Sequence, residues 1–131
     1  MPMLKELVQS ADWKAEKHVP AIESPASAKK GEWITVNVTV GKEIAHPNTT
    51  EHHIRWIALY FKPQNEKFPC QLAKCDFDAH GESVQGPNTS TISTNSTVVC
   101  AFKTDKPGVL MAVSYCNIHG LWESAREIAV E

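Results

Sequence analysis

The sequence lacks the features that mark membrane, secreted and nucleic-acid-binding proteins. No apolar run approaches the roughly 20 residues that a membrane-spanning helix needs, and the N-terminus carries no apolar segment of signal-peptide length. There is no basic block and no acidic tail, and the formal net charge is only −2. Such a chain gains little from contact with nucleic acid or an anionic membrane. We therefore predict a cytoplasmic protein that has neither as its main partner.

Cysteine is also scarce. The chain contains four cysteines, which are Cys70, Cys75, Cys100 and Cys116. Thiols stay reduced in the cytoplasm, which favours metal binding or catalysis over two disulfides. The sequence indicates such a role for Cys116 alone, and we expect the other three to be structural thiols.

Helical periodicity is nearly absent, and short apolar strands take its place. Residues 3–9 can form one or two helical turns, whereas residues 32–40 alternate strictly between apolar and polar side chains, which is typical of a strand with one buried face. Residues 54–61 are apolar on both faces and predict a central strand. Four more strands are expected within residues 69–80, 97–104, 109–116 and 127–130, and residues 23–31 are expected to be weakly ordered.

These segments predict an all-β protein. The expected fold is an immunoglobulin-like antiparallel β-sandwich of about seven strands, with a short N-terminal helical turn and a loop that carries metal ligands. The length of 131 residues fits one domain over residues 1–131, because domains most often run to roughly 100–150 residues.

The histidines are concentrated around the predicted strand ends. His46 and His52 lie in one loop before a strand, His18 lies in the N-terminal loop, and Cys116 and His119 form a C-x-x-H pair directly after another strand. A C-x-x-H pair can reach one ion from a single turn, and imidazoles with a thiolate suit iron, copper, nickel or zinc. The conjunction of these three segments in so small a chain predicts a metal site.

Several metals compete for this set of side chains. A closed structural zinc site usually has two or more thiolates, and a zinc deaminase needs P-C-x-x-C downstream of its H-x-E motif, whereas here Pro69 and Cys70 precede His80. Blue copper is the strongest rival, because its sites use a C-x-x-H loop on a similar sandwich, often with a Met further on. No methionine follows His119, and the histidines are too many, which favours iron without excluding copper.

Four blocks of sequence resemble superoxide reductases of the neelaredoxin type, the one-iron members of the desulfoferrodoxin family. These blocks are DWKAEKHVP, VGKEIAHPNTTEHHIRWIALYF, AHGESVQGPNTS and SYCNIHGLWE, and they span nearly the whole chain. No N-terminal C-x-x-C is present, so we expect no desulforedoxin-like domain before this one.

The resemblance implies a site and an activity. It implies one ferrous ion with four equatorial imidazoles and an axial thiolate, which fall on His18, His46, His52, His119 and Cys116. It places Glu16 at the open position when iron is ferric, and Lys17 beside that position. It implies reduction of superoxide to hydrogen peroxide, an external rubredoxin-like electron donor and a homotetramer.

Two histidines do not match ligand positions of the family. We expect His53 to point away from the site, as a core or supporting residue, and His80 to make hydrogen bonds within a loop. A cupredoxin-like electron carrier, or a β-sandwich binding module with an incidental metal, are the alternatives to an enzyme.

Overall fold

The strands of this chain form two sheets that pack face to face. The computed structural model describes residues 1–131 and contains one short helix, α1 (Leu4–Leu7), and eight strands. The strands are β1 (Pro20–Glu23), β2 (Ser27–Ala28), β3 (Ile34–Val40), β4 (Ile54–Pro63), β5 (Cys70–Asp76), β6 (Thr97–Phe102), β7 (Gly108–Cys116) and β8 (Gly120–Val130).

One sheet has three strands in the order β1-β3-β6, and the other has five in the order β2-β8-β7-β4-β5. The predicted immunoglobulin-like, all-β sandwich is confirmed. Eight strands are present where about seven were expected, and one detail differs from the antiparallel prediction: β2 runs parallel to β8, while every other pair is antiparallel. No helix is long and apolar enough to cross a membrane.

The core lies between the two sheets, as the alternating pattern requires. On β3, Ile34, Val36, Val38 and Val40 are all buried, while the polar residues between them face outwards. Strand β4 is central, with β5 on one side and β7 on the other, and it is buried along most of its length. Burial of these apolar side chains is the main favourable term in folding.

The segment predicted to be weakly ordered instead holds the end of β1 and all of β2. Strand β1 pairs with β3, and β2 pairs with the last residues of β8. Strand β8 is also longer than predicted, since it begins at Gly120 rather than near residue 127. These elements are stabilised by pairing with other strands, which for β2 is the end of β8 and for β8 is β7 along its length, so their own sequences carry no clear alternation.

A β-bulge explains the position of two cysteines. Their spacing of five would place Cys70 and Cys75 on opposite faces of a straight strand, but the pairing of β5 with β4 slips by one residue beside Leu59. Cys75 is therefore opposite Ile57 and Cys70 is opposite Phe61, and both partners face the core. All four cysteines are free thiols.

The strand ends bring three separate segments together at one end of the sandwich. The last residue of β7, Cys116, pairs with Ile54 at the start of β4. The loop containing residues 46–53 leads into β4, and His18 lies just before β1. The fold thus places the N-terminal loop, the histidine-rich loop and the β7–β8 turn beside one another.

Candidate metal centre

The β7–β8 turn supplies a thiol and an imidazole. Cys116 ends β7 and is fully buried, while His119 lies in the exposed turn that follows. The backbone N–H of His119 donates to Cys116 Sγ at 3.4 Å, which fixes the turn around the sulfur atom. Gly120 closes the turn with a φ of 81°, a conformation that glycine adopts without strain.

The histidine-rich loop is held by its own hydrogen bonds. The backbone N–H of His52 donates to Thr49 Oγ1 at 3.0 Å, and the Thr49 backbone N–H donates to the His52 carbonyl at 2.9 Å. His46 Nδ1 donates to the Pro47 carbonyl at 2.7 Å, because a carbonyl can only accept. The neutral His46 ring therefore carries its lone pair on Nε2.

Three hydrogen bonds hold His18 in place. Its Nδ1 donates to Glu16 Oε1 at 2.7 Å, and its backbone N–H donates to the same oxygen at 3.1 Å. Its carbonyl accepts a hydrogen bond from the buried Ser114 hydroxyl at 3.1 Å. The ring is buried and leaves Nε2 as the nitrogen with a free lone pair.

The free nitrogens of these rings converge on one point. One candidate ligand atom from each of His18, His52, Cys116 and His119 lies within 4.8 Å of all the others. His119 Nδ1 is 3.1 Å from His18 Nε2 and 3.2 Å from His52 Nε2. Adjacent nitrogens bound to one ion at about 2.1 Å would be about 3 Å apart, so these separations fit a shared metal.

His46 lies beside this group of four side chains and is not one of its members. Its ring centroid is 4.8 Å from that of His18 and 4.7 Å from that of His52. Its Nε2 is the buried side-chain polar atom that has no hydrogen-bond partner. Buried polar atoms are almost always partnered, and the unpartnered nitrogen of an imidazole that packs against two other imidazoles is explained by a metal ion. The residues present therefore fit a mononuclear metal.

Burial keeps two of these imidazoles neutral. It lowers the pKa of His46 to about 4, and it is also the main cause of the lowered pKa of His52, with nearby positive charge from other histidines adding to it. A neutral ring is the form that binds a metal. Four imidazoles and one thiolate would leave a divalent ion with a net charge of about +1.

Glu16 and Lys17 both lie beside the group. The Glu16 carboxylate is hydrogen-bonded to His18, and that bond is the main reason that its pKa is lowered. The positive charge of Lys17 contributes to the lowered pKa values of His46 and His52. Both side chains are half-buried.

The remaining two histidines form a separate pair. The rings of His53 and His80 stack with centroids 3.6 Å apart and planes 5° from parallel. His53 Nδ1 donates to the Thr49 carbonyl at 2.8 Å, and the two ring nitrogens of His80 lie 2.9 Å from Asn48 Oδ1 and 2.6 Å from the Phe77 carbonyl oxygen. Neither ring belongs to the metal-binding group, and both support the loop that carries it.

Two contacts to the ligand residues cannot be read from the sequence motifs. Ser114 interrupts the apolar inward face of β7 and reaches the His18 carbonyl. Trp122 stacks on the His18 ring and donates its indole N–H to the His119 carbonyl. The only sequence signals are a serine among inward apolar residues and a tryptophan directly after the C-x-x-H turn.

Comparisons with known proteins agree with this geometry. The family model described as desulfoferrodoxin matches residues 10–125. The chain belongs to the desulfoferrodoxin family. Neelaredoxin from Megalodesulfovibrio gigas is 53% identical over 126 residues, covering 96% of this chain and 97% of that protein. Superoxide reductase from Pyrococcus furiosus is 55% identical over 129 residues, covering 98% and 100%.

Solved structures of the desulfoferrodoxin family share the whole fold. A putative superoxide reductase from Thermotoga maritima matches with a TM-score of 0.97 at 50% identity, covering 100% of this chain and 99% of that one. Superoxide reductase (neelaredoxin) from Archaeoglobus fulgidus in the reduced form matches with a TM-score of 0.87 at 54% identity, covering 94% and 98%. The family resemblance is confirmed, and the comparisons lend no support to a cupredoxin-like carrier.

Proposed function

We propose that this desulfoferrodoxin-family protein is a superoxide reductase with one mononuclear iron per chain. The iron ligands are His18, His46, His52, Cys116 and His119. The observation that carries the proposal is the buried, unpartnered His46 Nε2, on a ring that packs against His18 and His52 of the four-residue cluster. The relatives named superoxide reductase and neelaredoxin support the substrate.

The donor set favours iron over the alternatives. Closed zinc sites usually hold more thiolates, and blue-copper sites use two imidazoles with one thiolate, whereas here three imidazoles and one thiol converge and a fourth imidazole packs against two of them. Bound here, ferrous iron would supply the one electron that superoxide takes up with two protons to give hydrogen peroxide. The Cys116 thiolate would donate electron density to the metal, as an axial cysteine does in haem enzymes.

Lys17 is proposed to attract the substrate. Superoxide is a small anion, and the whole protein carries a formal charge of −2, which opposes its approach. A local positive charge is therefore needed on the open side of the site. Lys17 is half-buried and its charge contributes to the lowered pKa values of His46 and His52, while His119 on the same group is exposed to solvent.

Glu16 is proposed to bind the ferric form of the metal. In the structure its carboxylate holds His18 Nδ1 instead, so ligation by the same oxygen would require that hydrogen bond to break. Glu16→Ala is expected to change the visible spectrum of the oxidised protein while the first reaction with superoxide stays fast. An unaltered ferric spectrum would count against ligation.

The partners follow from the reaction. The chain has one metal-binding group, made of His18, His52, Cys116 and His119 with His46 beside it, so each turnover needs an electron from outside. We propose a rubredoxin-like protein as that donor, and a homotetramer as the assembly. A single domain over residues 1–131 and a cytoplasmic location stay predictions from the sequence.

Rapid mixing with superoxide tests the function. The reduced, iron-loaded protein should yield one hydrogen peroxide for each iron oxidised, without release of dioxygen. The Cys116→Ser variant should lose the thiolate absorption of the oxidised protein. Dioxygen release would mean dismutation, and stoichiometric copper with an intense blue colour in the protein as isolated would mean a carrier.

The role of Lys17 has its own test. Lys17→Ala should slow the second-order reaction with superoxide and weaken its dependence on ionic strength, while the iron spectrum stays unchanged. Lys29→Ala is the matched control, because Lys29 is an exposed lysine that follows β2, at the end of the sandwich away from the metal centre. Equal rates for Lys17→Ala and wild type at low salt would refute steering by Lys17.

A further inference from the structure

Trp122 contacts two candidate ligands that come from opposite ends of the chain. It is the third residue of β8 and is 9% exposed. Its indole plane lies 13° from that of the His18 imidazole, with ring centroids 5.0 Å apart. Its Nε1–H donates to the carbonyl of His119 at 3.2 Å. One rigid side chain therefore meets the face of one ligand ring and the backbone of another ligand residue.

We infer that Trp122 is a positioning residue that fixes the relative orientation of His18 and His119. The Glu16 carboxylate holds one edge of the His18 ring, but a single hydrogen bond to Nδ1 leaves the ring free to swing about the N–H···O direction. Stacking on the indole removes that freedom. The indole N–H at the same time holds the exposed turn on which His119 lies.

The backbone around Trp122 makes it a firm support. The Gln9 backbone N–H donates to the Leu121 carbonyl at 3.0 Å, and the Glu123 N–H donates to the Gln9 carbonyl at 2.8 Å. Gln9 Nε2 also reaches the His119 carbonyl at 3.5 Å. Gln9 is thus hydrogen-bonded to β8 at the residues before and after Trp122, which holds the backbone of Trp122 in place.

The consequence is a site that is ordered before the metal binds. Residues that orient metal ligands typically contribute about 10- to 100-fold to metal affinity. Losing the indole N–H alone removes one hydrogen bond, whose net worth corresponds to about 3- to 10-fold. The inference rests on the metal site of the proposed function and not on its reaction, so it can be tested with a metal that does not turn over.

The test uses Co²⁺ binding to metal-free protein, followed through the thiolate-to-cobalt absorption. Trp122→Phe keeps an aromatic face and loses the N–H, and its Co²⁺ affinity should fall by about 3- to 10-fold. Trp122→Leu loses both contacts, and its affinity should fall by about 10- to 100-fold. Trp33→Phe is the control. Trp33 lies just before β3, is 66% exposed and has the Lys103 ammonium over its ring, so this variant should bind Co²⁺ as wild type does.

The cobalt spectrum distinguishes a change in ligand orientation from a loss of protein stability. The ligand-field bands of the Trp122 variants should shift, because the His18 ring changes its orientation, and Trp122→Phe should restore part of what Trp122→Leu loses. Wild-type affinity in a folded Trp122→Phe variant would overturn the inference, as would weaker binding with unchanged bands. If Trp122→Leu does not fold, Trp122→Phe decides alone. Failure of the superoxide reaction would leave these affinities unaffected.

Discussion

Replacing Ser114 with alanine should weaken both the fold and the metal centre. Ser114 is fully buried on β7, two residues before Cys116, and its hydroxyl is the donor to the His18 carbonyl at 3.1 Å. The two residues are 96 positions apart in the chain, so this bond joins the N-terminal loop to the five-stranded sheet. Alanine removes the donor without adding bulk and leaves the carbonyl buried without that partner.

The expected cost follows from the burial of both groups. An unsatisfied buried acceptor costs about 1–3 kcal/mol, because the group has lost water without gaining a partner. For a domain of this size each kcal/mol lowers the melting temperature by about 3–5 °C, so Ser114→Ala should melt about 3–15 °C below wild type. The loosened His18 segment should also weaken metal binding by about 10-fold, at the low end for residues that support ligands.

Thermal unfolding of the metal-free protein and a competition titration with a zinc chelator give the two quantities separately. Ser27→Ala is the matched control, because Ser27 is an exposed serine on β2 that makes no side-chain hydrogen bond. A Ser114→Ala variant that melts and binds zinc as wild type does would show that the hydroxyl does not hold His18. A lower melting temperature with unchanged zinc affinity would limit its role to the fold.

Three further changes probe the loops around the site. Gly41→Ala should destabilise the protein by about 1–2 kcal/mol in urea titrations and weaken zinc binding, because φ is 87° and the new Cβ would lie 2.7 Å from the His46 backbone nitrogen. Gly86→Ala is the control: its φ is also positive but its Cβ would meet no atom, so it should leave zinc binding unchanged. His80→Phe keeps a stacked ring but loses two hydrogen bonds, so its urea midpoint should fall. An unchanged midpoint would show that these bonds do not support the loop. A hydrogen bond from the His80 backbone N–H lowers the pKa of Glu82. The ionised Glu82 therefore stabilises the protein above its unfolded pKa of about 4.3, and this stabilisation is lost as the pH falls through the folded pKa. In urea titrations the difference in stability between wild type and Glu82→Gln should therefore disappear between pH 6 and pH 3.

The strands that the sequence predicts well are those whose pattern reflects their own burial. Strand β3 alternates because one face meets the core, and β4 is mostly apolar because it is an interior strand of the larger sheet, flanked by β7 and β5. Strands β1 and β2 escaped prediction because they are short and pair with strands far away in the chain. Propensity is a weak guide where pairing with distant partners decides the structure.

The same distinction applies to the site. Residue types and spacing indicated a metal bound by histidines and Cys116, because these features are local to short motifs. Spacing alone could not separate His52 from His53, which are neighbours; the structure does so by turning His52 towards His119 and stacking His53 on His80. The strand start at residue 54 sends adjacent side chains to opposite sides, which the sequence motif does not encode.

The contacts of Ser114 and Trp122 with His18 could not be predicted from the sequence, for a different reason. Ser114 and Trp122 act on His18 across 96 and about 100 residues of chain, and only the packing of β1 against β7 and β8 brings them together. Two further side chains, Ser124 and Arg126, bind backbone oxygens of the segment that follows His18, at residues 20 and 24. A ligand carried by a loop at the N-terminus is thereby held by side chains of the sheet at alternate positions.

This arrangement explains how a site built on loops can still be rigid. Cys116 and His18 are buried and tied to the sheet, whereas His119 is exposed and is held through its backbone by Trp122. Burial of the ligands therefore decreases from the core side of the site to its solvent side. A small anion needs an open side and a fixed metal at once, and the gradient provides both, because the strands hold the buried ligands while the turn leaves the remaining face accessible.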